Sequence, residues 1–182
     1  MAGQNSNKAR ILGLDAEVVY TGLRLLAYYS VFTVVLLVVL PQDLIYRTQL
    51  LTAEWSEYFI RLSGLSVTRD GVLLYLANIT LQIDFACTAI TIAALYTSLI
   101  LAYRAPWEMR VFGVVAGLAA IEVANITRIV ATAFTAVYAP NLMHTFHDYL
   151  FQVSMVVVAV ALWAWWFSLL ARAQKRGGVE RG

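Results

Sequence analysis

The chain has 182 residues, of which 61% are hydrophobic and only 13% charged, a composition too poor in polar side chains to cover a water-soluble domain. Together with a mean hydropathy of +0.72, this makes it an integral membrane protein, read as a single membrane domain over residues 1–182. A net charge of +2 without a basic stripe interleaved with aromatics excludes a nucleic-acid footprint, and a single cysteine excludes a disulfide framework or a multi-cysteine zinc site. No metal and no cofactor is expected.

A spanning helix needs about 20 mostly apolar residues, because the hydrocarbon core is about 30 Å thick and a helix rises about 1.5 Å per residue. The first such segment is residues 25–40 (LLAYYSVFTVVLLVVL), with its helix expected to begin a turn or two earlier, preceded by a cytoplasmic N-terminal segment at 1–24 and stopped by Pro41. Pro-Gln-Asp comes after it rather than a small-residue cleavage site, so it is read as a retained span and not a secretory leader.

The connection 42–84 is the one sizeable region outside the spans. Leu44, Leu51, Trp55, Tyr58, Phe59 and Leu62 fall on one helical face and Arg47, Glu54, Glu57 and Arg61 on another, which predicts an amphipathic helix lying in the interface. Beyond Gly64, Arg69-Asp70-Gly71 signals a tight turn, and Ile79, Leu81 and Ile83 alternate with polar residues as in a half-buried strand. A small β-hairpin-like or three-stranded cap is expected there.

Three further spans are expected at 85–103, 111–137 and 146–170, with a polar, frayed tail at 171–182. Trp163, Trp165 and Trp166 are expected to form an inner-leaflet aromatic belt. Cytoplasmic loops are enriched in lysine and arginine. Lys8, Arg10, Arg24, Arg104, Arg110, Arg172, Lys175, Arg176 and Arg181 mark one side, against Arg47, Arg61 and Arg69 on the other. The fold class is therefore an all-α polytopic membrane protein with four transmembrane helices, both termini cytoplasmic, and the amphipathic helix and cap outside between spans one and two.

Polar side chains inside a span cost about 2.5 to 3.5 kcal/mol each at the helix centre and are functional candidates by default. Span two opens with Asp84 and Cys87. Span three carries Glu122, Asn125 and Arg128 at i, i+3 and i+6, neighbouring pairs lying on adjoining turns of one face, and span four opens with His144, His147 and Asp148. Counting about 1.5 Å per residue from the inner end of span three lifts Arg128 by about 25 Å, to the outer level at which Cys87 and His147 begin their spans. A thiol near a helix amino terminus or a cation has a lowered pKa, a histidine could move its proton, and an arginine could hold an oxyanion. That set of roles is acyl transfer. His144 competes with His147 as the base, Asp84 could orient Arg128 or His147 or simply start the helix, and Glu122 and Asn125 are read as polar contacts between helices.

At these positions the chain resembles the exosortase/archaeosortase group of membrane-embedded cysteine transpeptidases. Phe85-Ala86-Cys87-Thr88-Ala89-Ile90 is similar to the family's nucleophile motif, Asn125-Ile126-Thr127-Arg128-Ile129 to its Asn-x-x-Arg motif, and His147-Asp148 to its histidine motif. Ala89 stands where the family usually has glycine, and so does Phe151, four residues after His147. The resemblance implies Cys87, Arg128 and His147 as catalytic residues, supported by Asp84, Asn125, Asp148 and His144. It implies a plasma-membrane enzyme active on the extracytoplasmic side. Its partners would be surface proteins with a C-terminal sorting signal (motif, transmembrane helix, basic tail), an acceptor lipid or amine, and the membrane lipids. The competing reading is a small transport or assembly subunit with Glu122, Asn125 and Arg128 lining a polar path or gripping a partner helix.

Overall fold

The computed structural model describes residues 10–11, 14–77, 79–143 and 151–179. Two short strands, β1 (Arg10–Ile11) and β2 (Leu14–Asp15), pair and lead into α1 (Ala16–Val34), which continues as a π turn over Val35–Val39. The apolar rod thus begins at Ala16 rather than Leu25. Ala16 to Tyr20 carry an acid, Glu17, in the first turn, where it complements the helix dipole, so nothing breaks the helix before the apolar run. The rod ends in a wide turn because Pro41 pushes Leu40 into extended backbone (φ −69°, ψ 129°), and the Leu40 N–H then reaches back to the Val35 carbonyl at 2.9 Å. No residue of α1 is buried, so it faces lipid with its apolar surface and packs along α3 (Ile90–Ala102).

The expected amphipathic helix is α2 (Gln42–Leu62), and it turns its faces the opposite way to a helix in a soluble protein. Leu51, Trp55, Tyr58 and Leu62 point outward, while Thr52, Ala53, Ser56 and Ile60 are buried. Small residues on the inner face let α2 lie close against α4 (Trp107–Tyr138), and the aromatic face is left for the membrane interface. Trp55 stacks on Phe59 and meets Tyr58 edge-on.

The cap is a three-stranded antiparallel sheet in the order β3 (Val67–Asp70), β4 (Leu73–Leu76), β5 (Ile79–Gln82). Asp70 pairs with Leu73 across a two-residue turn, and Gly71 supplies the positive φ (59°) required at its first central position. Val67, Leu74, Leu76, Leu81 and Ile83 form the dry face, packed with Ala53 and Ile60 of α2 on Ile129 and Ala133 of α4. Glu57 ties the sheet to α2, accepting from Arg61 at 2.7 Å and from Arg69 at 2.9 Å.

A second core joins α3, α4 and α5 (Phe151–Val179) around Tyr96, Ile100, Ile121, Met155, Ala159 and Trp166. Gly113 and Gly117, one turn apart on α4, make it possible. A Cβ at Gly117 would overlap the Tyr96 ring and one at Gly113 would overlap Trp166. The close approach lets Tyr96 Oη donate to the Gly113 carbonyl at 2.9 Å and Trp166 Nε1 to that of Met109 at 2.7 Å. Trp166 is therefore a fully buried core residue, and the expected tryptophan belt is reduced to Trp165, which is half exposed, with Trp163 partly covered beside it.

Among the described residues, three helices are long and apolar enough to cross a membrane: residues 16–39, 107–138 and 153–173. The expected span at 85–103 is divided into a 3-10 turn (Phe85–Thr88) and the 13 residues of α3, about 20 Å of helix. The tail is not frayed from residue 171 onward, since α5 continues to Val179.

Candidate active site

The dry face of the cap ends at Ile83, and the chain enters a tight turn that carries Cys87. Asp84 begins it in extended backbone (φ −92°, ψ −175°), with its Oδ1 accepting from the Cys87 N–H at 3.1 Å. Thr88 Oγ1 donates to the Phe85 carbonyl at 2.7 Å, and Ala89 leaves the turn in the left-handed region at φ 54°. Asp84 thus caps the turn, while its expected role beside His147 falls on a residue outside the described ones. The left-handed backbone at Ala89 also explains the motif position it occupies, since glycine adopts that conformation without the steric cost an L side chain incurs.

Asn125 is completely buried on α4 and donates from Nδ2 to the Cys87 carbonyl at 2.8 Å, tying the cysteine turn to a spanning helix. Its Oδ1 is buried with no hydrogen-bond partner among the described residues. One turn further along α4, Arg128 shares with Cys87 a small cavity of about 30 Å³, completed by Leu81, Gln82, Ile83, Ile129 and Thr132. That space suits a single water or carbonyl oxygen. Arg128 makes no ion pair among the described residues.

Glu122 departs from the arrangement expected for it. Among the described residues it has no ion pair with Arg128 and no hydrogen bond to another helix, and it lies exposed along a separate groove of about 570 Å³ formed by α2 and α4, with Trp55, Phe59, Leu62, Ile126 and Val130. Each three-residue step along a helix leaves the starting face by about 60°, so Arg128 stands about 120° from Glu122 while Asn125 remains between them. The polar path of the competing reading is thereby split across two flanks of α4.

The thiol pKa also differs in direction from expectation. Burial pushes it up and the adjacent Asp84 carboxylate adds to the rise, with Arg128 acting against both. Cys87 sits on the turn outside the spanning helices, one turn short of the α3 amino terminus that would have lowered it. Such a thiol is protonated at neutral pH and needs a base to become a nucleophile. The histidines expected for that task, His144 and His147, lie with Asp148 outside the described residues.

Cys87, Asp84, Asn125 and Arg128 are thus brought together at the end of α4 that carries the cap. Two neighbours went unrecognised in the sequence, Thr132 and Gln82. Thr132 is one turn beyond Arg128 on the same face and donates to its carbonyl at 2.9 Å, a spacing that was legible. Gln82 enters through the path of the strand, for which there was no signal. No curated protein and no solved structure matches the chain. The transmembrane exosortase family matches residues 16–172. A multi-pass helical chain that folds its one cysteine against an intramembrane Asn-x-x-Arg turn, and matches that family over most of its length, belongs to the transmembrane exosortases.

Proposed function

We propose that the protein is a membrane-embedded cysteine transpeptidase that cleaves the C-terminal sorting signal of surface proteins at the outer face of the plasma membrane. It would transfer the product to an envelope amine or lipid. The observation that carries this reading is the joining of Cys87, Asn125 and Arg128 in one site, with the cysteine carbonyl held at 2.8 Å by Asn125 and the guanidinium sharing the thiol's cavity.

In this reading His147 takes the proton from Cys87 Sγ, and the thiolate attacks the carbonyl carbon of the scissile peptide. The C=O π pair moves to oxygen, and Arg128 stabilises that oxyanion. As the pair returns, the C–N bond breaks, the imidazolium gives its proton to the leaving amine, and a thioester to Cys87 remains. The acceptor amine then loses a proton to His147, attacks the thioester and expels the thiolate, which recovers that proton. The raised thiol pKa supports a separate base, because burial leaves few thiolates ready at neutral pH.

The test is intact-mass analysis after co-expression with a surface protein bearing a C-terminal helix and basic tail. Wild type is expected to cleave the partner and to yield an acyl adduct on Cys87, and Cys87→Ala is expected to be inactive. Cleavage that persists in Cys87→Ala would remove the cysteine mechanism. A transport or assembly subunit reverses the pattern, with Cys87→Ala silent and Glu122→Gln damaging.

A further inference from the structure

We propose that the free edge of β5 is the docking surface for the substrate polypeptide, which adds to the cap as an extended strand and so carries its scissile bond to Cys87. This rests on the transpeptidase reading above and specifies how that site holds its substrate.

The argument begins with the parity of the ladder. Leu76 faces Ile79 and Leu74 faces Leu81, and the Ile83 N–H donates to the Val72 carbonyl at 2.9 Å in the same register. In an antiparallel pair every second residue exchanges hydrogen bonds with its opposite. Ile79, Leu81 and Ile83 therefore turn their backbone groups to β4, and Thr80 and Gln82 turn theirs to the open side. Among the described residues no strand lies beyond β5, and neither Thr80 nor Gln82 makes a hydrogen bond on that side.

The opposite edge is treated differently. The Val67 carbonyl on β3 accepts from Arg61 Nε at 3.2 Å, and α2 lies along that strand. Proteins commonly cover or charge their edges because an open row of N–H and C=O groups invites another strand. Among the described residues the outward side of β3 has a hydrogen-bond partner in Arg61, whereas the outward backbone groups of β5, the strand that leads to Cys87, have none, although α4 packs against that strand.

The cavity beside Cys87 supplies the third observation, since it is lined by three consecutive residues, Leu81, Gln82 and Ile83, together with Arg128 and Thr132. Leu81 and Ile83 share the dry face that packs on Ile129, and Gln82 lies between them with its backbone groups turned to the open side, so the cavity adjoins the edge of β5. The edge and the reacting thiol thus open on the same space. An occupant that pairs through its main chain is an extended peptide of tolerant sequence, selected by alternate side chains and not by a continuous motif.

The experiment uses a surface protein that wild type cleaves, with single cysteines at eight consecutive positions before its C-terminal helix. Each is oxidised against the full-length Cys87→Ala enzyme carrying Thr80→Cys. Strand pairing predicts cross-links that recur at every second position, whereas uniform yields or a recurrence every third or fourth position overturn the proposal. Thr80→Pro removes the outward N–H and leaves the ladder intact. It is expected to slow cleavage at least about tenfold, the rate lost with one hydrogen bond, with Cys87 alkylation unchanged. Wild-type cleavage by Thr80→Pro overturns the docking alone, while cleavage by Cys87→Ala overturns the transpeptidase reading beneath it. Should Thr80→Pro alter Cys87 alkylation, the cross-linking period decides.

Discussion

Ala89 shows how one atom sets a balance between strain and function. Its φ of 54° lies in the region where an L side chain costs about 1–2 kcal/mol, and the conformation is forced by the change from the 3-10 turn to α3. Ala89→Gly should therefore raise the thermal midpoint in detergent, by about 1 kcal/mol of stability, with Cys87 reactivity retained; a lower midpoint would show that the methyl packs well enough to outweigh the strain. The charges around the thiol make a second prediction. Asp84 raises the thiol pKa, so Asp84→Asn, which keeps the capping oxygen, should move the pH midpoint of Cys87 alkylation down, and Arg128→Gln should move it up. Alkylation rates across pH read both, and shifts of the same sign would contradict the opposed roles of the two charges. Asn125 and Arg128 stand out in the sequence because polar groups inside an apolar span are rare, and Cys87 because it is the one cysteine. Their orientation was not legible, because Glu122, Asn125 and Arg128 rotate by about 60° at each step and the sequence does not say which flank of α4 faces the nucleophile.

At the scale of elements, the patterns read from the sequence hold where the period is long and fail where a neighbour decides. The amphipathic face of α2 and the alternation of β5 both appear in the structure, since each is a repeated choice between two environments. The break in the expected second span is not visible in hydropathy, because Phe85–Thr88 is apolar enough to read as the first turn of α3. Only the Asp84 cap and the Asn125 bond set it apart as a separate turn that carries Cys87. The burial of Trp166 likewise depends on Gly113, far away in the chain, leaving room for its ring. Gly117 carries the same logic against Tyr96. Gly117→Ala should push the ring off α4, destabilising the fold by about 1–3 kcal/mol, whereas Gly22→Ala, with no atom within 4 Å of its new methyl, should be neutral. Unfolding by SDS titration compares the two, and equal effects would mean that the α3–α4 contact is not close-packed.

For the whole molecule, the cap, the nucleophile turn and the far end of α4 form one end of the protein, and the Tyr96 and Trp166 contacts lie toward the other. The distribution of lysine and arginine is the ground on which the proposed function puts the first end at the outer face, and in that reading the exposed aromatic face of α2 would lie in the headgroup region. A sorting signal arriving from the bilayer would then meet α2 and the cap before it met the thiol, which is the order a processing enzyme requires. Because Cys87 is the only cysteine, Cys87→Ala supplies a background in which each new thiol reports its own side. Thr68→Cys on the wet face of β3 should react with a membrane-impermeant maleimide in intact cells, and Arg172→Cys near the end of α5 only after permeabilisation. The reverse pattern would place the site on the cytoplasmic side, out of reach of exported proteins. Labelling of both in intact cells would break the even number of crossings, and with it the idea that α3, short as it is, completes a passage.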